Sequence, residues 1–403
     1  MTEALRASNL QHYECREIFA LKWAPWFLTL AALALGILLC EGLLAVFYPQ
    51  LYRRPPRIWQ FDGDLGWAHV PEGKGRLVTP EFDVEMHINK EGLRGGNYER
   101  KKPDRVRRIL VFGDSFAEGW GVKSEEAVSE QLQKCLQSDR TDSIEVINFG
   151  VAGYGTDQEL LLYEKLGRLY EPDVVVVLFY GNDLWNNASK RGIGAERGYK
   201  PFFRPQSNGH LALGGVPVVK TRYWDEARYR DASLGTRLSR YLHENWHLYV
   251  LVNKALQPEI APAQQSQYYD GLYGHDVDRQ WQPVWELTGM LLEKFAAAVQ
   301  SRGGEFIVVY VPAIVQIEEE DWQAKRTLHG LVDEYDLQKP NAHLTHFSQR
   351  YNLDYVDLYP VFKERGKDQV LYLRDSHWNA AGHELAAQTL CGSLSSYQGE
   401  AAR

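Results

Sequence analysis

The stretch Arg108–Gly119 reads RILVFGDSFAEG and decides the interpretation of the chain. A short apolar run ends abruptly at Gly-Asp-Ser, and a segment compatible with a helix follows. Such a run is typical of a strand buried on both faces, as in a parallel sheet covered by helices. Gly113 permits a sharp exit, which leaves Ser115 at the strand's carboxyl end, close to a helix N-terminus with unpaired N–H groups. Ser115 is therefore a candidate nucleophile, and the alternative is an ordinary helix N-cap serine.

Outward from this stretch, short apolar runs alternate with longer amphipathic segments. The predicted strands are Val106–Phe112, Ile144–Asn148, Asp173–Phe179, Glu305–Val311 and Tyr355–Leu358. The predicted helices are Glu125–Leu136, Gln158–Leu169, Trp285–Ser301, Lys339–Arg350 and Ala380–Leu394. Alternation of this kind predicts an α/β fold with a parallel sheet and helices on both faces.

Composition excludes several classes of function. The chain has 403 residues, a net charge of −8 and no basic runs, which argues against a nucleic-acid partner. Its four cysteines form no pair or cluster at zinc spacing, so no metal is expected. No Walker or GxGxxG loop follows the first strand, which leaves a phosphate- or nucleotide-binding protein poorly supported and predicts no cofactor.

The N-terminal region carries one apolar segment. Residues 1–24 are polar, and residues 25–48 are apolar except for Glu41. This length matches the roughly 20 residues that cross a bilayer as a helix, and aromatic residues lie at both ends. We predict a single-pass anchor in the lipid bilayer; a cleaved signal peptide is the alternative. Basic residues flank both ends, so charge does not fix the orientation, and Glu41 either contacts a membrane partner or snorkels.

The rest of the chain divides into a membrane-proximal segment, a main domain and a tail. Residues 49–103 start with a stiff proline spacer, continue as short runs punctuated by glycine and proline, and predict a small β-rich element. His69 and His87, both in this element, are expected to be ordinary surface or half-buried residues. The main domain covers 104–395, with an insertion at about 186–275 that is periodic only over Thr236–Leu256, and 396–403 form a tail.

Four polar blocks follow predicted strands or precede the last helix. They are Gly113–Ser115, Asn148–Gly155, Tyr180–Asp183 and Asp375–Asn379. Ligands of open α/β sheets bind outside the carboxyl ends of the strands, so these blocks are expected to converge. A serine needs a base such as histidine, a carboxylate orients that base, and preorganised donors stabilise the oxyanion.

These blocks resemble, in order, the four sequence blocks of the SGNH/GDSL hydrolase superfamily over about residues 105–394. The resemblance implies that Ser115 is the nucleophile, that Ser115, Gly153 and Asn182 donate to an oxyanion, and that His377 is the general base. It also implies a flavodoxin-like three-layer α/β/α sandwich. The anchor and the 49–103 segment resemble a membrane-bound bacterial subgroup that handles acyl groups on extracellular polysaccharides.

The last block departs from the family pattern. The family places Asp three residues before His, but residue 374 is Arg and Asp375 is only two residues before His377. In an extended segment such residues point to the same side, so Asp375 is the predicted orienter, with Asp368 as the fallback. Members that resemble alginate O-acetyltransferases have a similar pair. His383, inside the last predicted helix, is expected to serve in packing.

Four aromatic residues flank the blocks, and they are either substrate-binding walls or core. They are Trp120, Tyr154, Trp185 and Trp378.

The cysteines bear on the compartment. In a flavodoxin-like order the first and last helices cover the same face, with Cys135 late in the first and Cys391 late in the last. We hypothesise a disulfide between them, which favours an extracytoplasmic, periplasmic domain; two buried free thiols are the alternative.

The prediction is a membrane-anchored serine esterase or O-acetyltransferase that acts on an acyl ester of a carbohydrate. The alternative is a catalytically impaired scaffold or glycan-binding subunit of a membrane polysaccharide-modification complex, which the short Asp–His spacing supports.

Overall fold

The computed structural model describes residues 2–50, 58–138, 143–192, 198–224, 232–256, 262–274, 278–332 and 334–401. The strands are β1 (Trp59–Asp62), β2 (Gly66–His69), β3 (Lys74–Val78), β4 (Asp83–His87), β5 (Val106–Gly113), β6 (Ser143–Asn148), β7 (Val174–Phe179), β8 (Phe202–Pro205), β9 (Leu211–Gly214), β10 (Glu305–Tyr310) and β11 (Asp354–Asp357). The helices are α1 (Thr2–Phe47), α2 (Ser115–Glu118), α3 (Val128–Ser138), α4 (Thr156–Lys165), α5 (Asn182–Ala188), α6 (Leu234–Asn245), α7 (His247–Leu256), α8 (Pro262–Tyr273), α9 (Asp278–Gln300), α10 (Ile314–Ile317), α11 (Glu319–His329), α12 (Lys339–Tyr351), α13 (Tyr359–Arg365) and α14 (Ala380–Ala401). Short 3-10 turns cover Ser124–Glu126, Gly167–Tyr170 and Arg222–Trp224.

The central sheet has five strands in the order β11-β10-β7-β5-β6, and all its pairs are parallel. In chain order this is 2-1-3-4-5, the flavodoxin-like arrangement. Every residue of β7 is buried, as expected for a central strand that is covered on both faces. The five predicted strands are confirmed to within about two residues at each end.

Helices cover the sheet in two groups. One group contains α3 and α14, which pack on each other. Cys135 and Cys391 form a disulfide between them, with 6.2 Å between the Cα atoms, which confirms the hypothesised pairing. In the other group α9 packs on α4, α5 and α12.

The segment before the sheet forms two antiparallel hairpins, β1–β2 and β3–β4. In β4 buried and exposed residues alternate. Leu77 of β3, Met86 of β4 and the following Ile88 form a small core with Trp120. The element therefore reaches the segment that follows Ser115. The predicted spacer lies outside the described residues.

The chain separates into two compact units. The first contains residues 1–53 and 233–257, and the second contains 54–232 and 258–403. The predicted insertion is therefore shared between the two. The periodic stretch Thr236–Leu256 forms two helices, α6 and α7, that separate at Trp246. Helix α1 continues through the polar N-terminal segment, and α14 continues to Ala401, through most of the predicted tail.

Five helices have no counterpart among the predicted elements: α5, α8, α10, α11 and α13. Three of them are short: α5 and α13 have seven residues each, and α10 has four. So few turns give little periodic signal.

Candidate active site

Three side chains from two distant parts of the chain, Ser115 and the pair Asp375 and His377, meet at the carboxyl edge of the sheet. The Oγ atom of Ser115 lies 2.9 Å from Nε2 of His377, and Nδ1 of His377 lies 3.0 Å from Oδ1 of Asp375. Ser115 begins helix α2, two residues after the end of β5, and is the only residue of 111–120 that is not buried. The imidazole is 20% exposed and the carboxylate 5%. The hydroxyl is thus open to a substrate, whereas the carboxylate is shielded.

Asp375 reaches His377 through a tight turn, not through the extended backbone that the sequence suggested. The N–H of Ser376 donates to the carbonyl of Leu373, and the N–H of Leu373 donates to that of His377. Ser376 has a φ of +73°, a left-handed conformation that is uncommon for a residue with a side chain. This turn places the Asp375 carboxylate against both the N–H and the ring of His377, so a spacing of two residues suffices.

Two aromatic side chains enclose the imidazole. The distance between ring centroids is 5.3 Å from Phe116 to His377 and 5.7 Å from Trp120 to His377. Trp120 also donates from Nε1 to Oδ2 of Asp375, at 3.1 Å. Trp120 therefore holds Oδ2 of Asp375 by a hydrogen bond, and this orients Oδ1 of the same carboxylate toward His377.

The candidate oxyanion donors lie on neighbouring loops. The side-chain amide of Asn182 donates to Oδ2 of Asp114 at 2.6 Å. Asp114 is fully buried, and burial raises the pKa of its carboxyl, although the N–H of Phe116 and the amide of Asn182 counteract this. An amide nitrogen carries two hydrogens, so Asn182 retains one donor beyond the bond that orients it. Gly153, at φ +80°, lies between residues whose N–H groups donate to Glu118 and Val151.

The loop after β6 packs on the backbone of α2. Asn148 donates to the carbonyl of Ala117 and accepts from the N–H of Gly150. A Cβ atom on Gly150 would lie 2.1 Å from the backbone N of Glu118. Glycine is required here because the backbone of the loop after β6 touches the backbone of α2. This contact fixes Ser115 relative to that loop.

A buried group behind α2 was missed at the sequence level. His69, expected near the surface, is buried and its Nε2 lies 2.5 Å from Oε1 of Glu118, whose other oxygen accepts from the N–H of Ala152. Arg94 is also buried and donates to the carbonyls of Glu118, Gly119 and Val122. The membrane-proximal segment thus braces helix α2, which contains Ser115, and through Glu118 the loop after β6. The Glu118 next to the Gly-Asp-Ser block was the one available signal, since a charged residue in a buried turn needs a partner. By contrast, His87 is exposed as expected.

The aromatic candidates for substrate binding divide between core and edge. Tyr154 and Trp378 are fully buried, and the hydroxyl of Tyr154 donates to the carbonyl of Trp67. Neither can contact a substrate in this conformation, because large aromatic rings next to the site fill the core beneath it. Trp185 is half-buried and stacks on Tyr268 at 6.2 Å, so of the four it remains a candidate wall.

Two further candidates lie away from the reacting atoms. Asp368, the fallback orienter, is exposed at the end of a helix. His383 is buried against Trp378, and burial, with Arg94 and His377 nearby, lowers its pKa to about 3. It therefore stays neutral and serves in packing. Within the described residues, no group of three or more His, Cys, Asp or Glu side chains is placed to hold a metal ion.

A groove of about 470 Å³ lies beside the turn that carries Asp375. Charged and polar side chains line much of it: Glu318, Lys367, Asp368, Gln369 and Arg374. Leu373, Tyr372 and Ile314 supply apolar surface. The lining therefore mixes charged, polar and apolar side chains, and it does not include Ser115, Asp375 or His377.

A family model described as the GDSL-like Lipase/Acylhydrolase family matches residues 111–385, more than half of the chain. The match includes Ser115, the loops after β6 and β7, and the turn with His377. No curated protein matches the sequence.

The chain is also similar to solved structures. An acetyl xylan esterase shares 17% identity at a TM-score of 0.38, over 71% of this chain and 99% of that one. A catalytic mutant of an acetylxylan esterase from Geobacillus stearothermophilus shares 13% identity at a TM-score of 0.38, over 70% and 92%. A lipase/acylhydrolase from Enterococcus faecalis shares 15% identity at a TM-score of 0.37, over 72% and 95%.

Proposed function

The chain belongs to the GDSL-like lipase/acylhydrolase family, and from this premise we propose that it is a membrane-anchored serine esterase or O-acetyltransferase. Ser115 acts as the nucleophile, His377 as the general base and Asp375 as the orienting carboxylate. The observation that carries the proposal is the chain of contacts from Asp375 through the imidazole to Ser115, at 3.0 and 2.9 Å. Both distances are within hydrogen-bond range, as nucleophile activation requires.

The reaction proceeds in two halves. Nε2 of His377 takes the Ser115 proton while Oγ attacks the ester carbonyl. The resulting oxyanion accepts from the N–H groups of Ser115 and Gly153 and from the free amide hydrogen of Asn182, and one such donor contributes about 3 kcal/mol. The intermediate collapses to an acyl-serine, and His377 protonates the departing alkoxide. An acceptor hydroxyl then gives its proton to His377 and attacks the acyl group. The second tetrahedral intermediate releases Oγ of Ser115, which takes the proton back from His377.

The acceptor decides between the two activities. Water yields an esterase, and a sugar hydroxyl yields an O-acetyltransferase. We propose a carbohydrate ester as the substrate, with an acetyl group as the transferred acyl; the charged and polar side chains in the groove beside the Asp375 turn support a carbohydrate. A short acyl group requires little apolar surface.

Two features support the proposed location. Residues Pro25–Phe47 form a 23-residue apolar helix of mean hydropathy 2.4, which fits a membrane anchor and also a signal sequence. The Cys135–Cys391 disulfide favours an oxidising compartment, on the extracytoplasmic side.

A fluorophosphonate probe tests the nucleophile. We expect the wild-type chain and Ser301→Ala, an exposed control serine, to be labelled, and Ser115→Ala to remain unlabelled and inactive on acetylated xylan. Labelling of Ser115→Ala would contradict the assignment, and no labelling of any variant would favour the scaffold alternative. Adding an acceptor glycan to the active protein then separates acetyl transfer from hydrolysis.

A further inference from the structure

Helix α1 contains one charged residue within its apolar stretch, Glu41. Its side chain accepts hydrogen bonds from helix α7, which is about 200 residues away in the sequence. Oε1 of Glu41 accepts from the N–H of His247 at 2.8 Å, and Oε2 accepts from the N–H of Leu248 at 2.8 Å. Nδ1 of His247 in turn accepts from the N–H of Gln50. All four residues belong to the same unit. Glu41 therefore has its partner in this chain, in place of the separate membrane partner considered from the sequence.

This contact fixes the depth of the segment Ser233–Leu256, which we name the α6–α7 hairpin. A carboxylate in a membrane-spanning helix is costly unless it is bonded, and the first N–H groups of a helix lack intrahelical partners. Here the carboxylate of Glu41 accepts hydrogen bonds from the first N–H groups of α7, so both the charge and the helix end have partners. Glu41 lies six residues before Phe47, which is about 9 Å along the helix. If Pro25–Phe47 spans the bilayer, the start of α7 lies at the edge of its hydrocarbon region.

The hairpin exposes an apolar stripe at helical spacing. On α6, Leu234, Leu238 and Tyr241 are 82%, 58% and 56% exposed. On α7, Val252 and Leu256 are exposed as well. Residues at i, i+4 and i+7 share one helix face. A stripe of this size, left open on two adjacent helices, requires a cover.

The charges and aromatic residues of the hairpin favour a lipid surface as that cover. Its sequence contains three basic residues, Arg237, Arg240 and Lys254, and one acidic residue, Glu244, although the whole chain is acidic. Trp246 stands between the two helices. Basic, amphipathic helices with interfacial aromatic residues bind anionic headgroups and insert their apolar face among acyl chains.

Continuity with α1 favours lipid over a protein partner. The side chains of α1 on either side of Glu41, such as Leu39 and Leu43, are exposed and apolar. A bilayer that surrounds α1 at this level also surrounds the hairpin bonded to it.

We propose that the α6–α7 hairpin is a second membrane element, which lies in the bilayer interface beside α1 and is held there by Glu41. The inference rests on the membrane anchoring in the proposed function. It adds an interfacial lipid-binding surface, formed by a segment inserted in the hydrolase sequence.

Depth-dependent quenching in nanodiscs of phosphatidylcholine and phosphatidylglycerol tests the proposal on the full-length chain. Cys15→Ala and Cys40→Ala provide a background in which the remaining cysteines are disulfide-bonded. A fluorophore is attached at Leu238→Cys and, in a matched control, at His243→Cys, which is nine residues, or 180°, from Leu234. We expect spin-labelled acyl chains to quench the Leu238→Cys label at least about threefold more than the control, as for an inserted apolar face.

A label at Leu33→Cys, within α1, reports on the anchor itself. Quenching at Leu33→Cys with equal, weak quenching at the two hairpin sites would overturn the proposal and leave the anchor intact. So would cross-links between chains through Leu238→Cys, since a second copy would then cover the stripe. No quenching at Leu33→Cys would contradict both the membrane anchor and the interfacial hairpin. Ester hydrolysis in the same discs reports on catalysis independently.

Glu41→Ala and Glu41→Gln test how the hairpin is held. We expect Glu41→Ala to reduce quenching of the Leu238→Cys label, because the two N–H groups lose their acceptors. Glu41→Gln, which keeps one acceptor oxygen, should have a smaller effect. Unchanged quenching in Glu41→Ala would show that Glu41 does not hold the hairpin.

Discussion

Trp120 and Ser376 together make a two-residue Asp–His spacing workable. The left-handed Ser376 brings the carboxylate of Asp375 round to the imidazole, and the indole N–H of Trp120 fixes the other oxygen. The short spacing, which raised the alternative of an impaired scaffold, is therefore compensated by local geometry.

Trp120→Phe should reduce turnover without weakening substrate binding. The substitution keeps a ring beside His377 and removes only the donor to Asp375. Loss of one hydrogen bond to a carboxylate costs about 1.4 kcal/mol, or about a tenfold fall in kcat. Steady-state kinetics on p-nitrophenyl acetate measure it, with Asp375→Asn as a reference that should lose about 10³–10⁴-fold. A raised KM with unchanged kcat would instead assign Trp120 to the substrate.

Glu159 is a buried carboxyl that weakens the fold at neutral pH. It is 1% exposed, and neither carboxylate oxygen has a partner among the described residues. Burial raises its pKa well above the usual value, and the nearby carboxylates of Asp183, Asp114 and Asp157 raise it further. The folded state then binds a proton that the unfolded state releases, so stability falls as pH rises above the unfolded pKa of about 4.3.

Glu159→Gln should therefore raise the melting temperature by a few degrees at pH 8. The gain should vanish near pH 4, where the wild-type carboxyl is protonated in both states. Thermal unfolding followed by circular dichroism across this pH range measures the difference. Glu164→Gln, an exposed carboxylate on the same helix α4, is the control and should change little. An equal gain at both pH values would contradict the titration argument.

At the scale of elements, the loop after β6 and helix α2 act as one piece. Their backbones touch at Gly150, and Asn148, Glu118 and Arg94 bond across or behind the contact. A shift in either element moves Ser115 relative to Gly153, the candidate oxyanion donor in the loop after β6.

Gly150→Ala should damage stability and catalysis together. Its Cβ would lie 2.1 Å from the N of Glu118 and 2.4 Å from the carbonyl carbon of Ala117, so α2 must move. Overpacking of this kind costs about 1–3 kcal/mol. Chemical denaturation and kcat measure the two effects. Gly63→Ala, where no atom lies within 4 Å of the added carbon, should leave both near wild type. A catalytically normal Gly150→Ala would show that the contact does not position Ser115.

Elements with strong local signals could be predicted, whereas contacts made by folding could not. The five core strands are apolar runs, and the blocks at their ends carry Ser115 and His377. The brace of His69 and Arg94 on α2 joins residues about 25–50 positions apart, and no local pattern marks it. The turn at Ser376 depends on an uncommon backbone angle of a residue without preference for it. Helices α6 and α7 fall within one periodic stretch of the sequence, Thr236–Leu256, because the break at Trp246 has no glycine or proline.

At the scale of the whole molecule, the Cys135–Cys391 disulfide ties the first helix after the nucleophile to the last helix of the chain. The bridged residues are 256 positions apart, so the bond encloses most of the hydrolase sequence. The histidine turn precedes α14 directly. The bond therefore links both ends of the catalytic sequence.

Removal of this disulfide should destabilise the protein strongly while leaving the site intact. Closing so long a loop restricts the unfolded chain by about 5.5 kcal/mol in the chain-entropy account. We expect Cys135→Ser/Cys391→Ser to unfold at a markedly lower temperature than wild type, and wild type with a reductant to match it. The reductant should not change the double variant further, which controls for its other effects. At temperatures well below the transition kcat should stay near wild type, because the bond touches none of Ser115, His377 and Asp375. Equal melting temperatures with and without reductant would argue against a stabilising bond, and with it against the oxidising compartment that the bond favours.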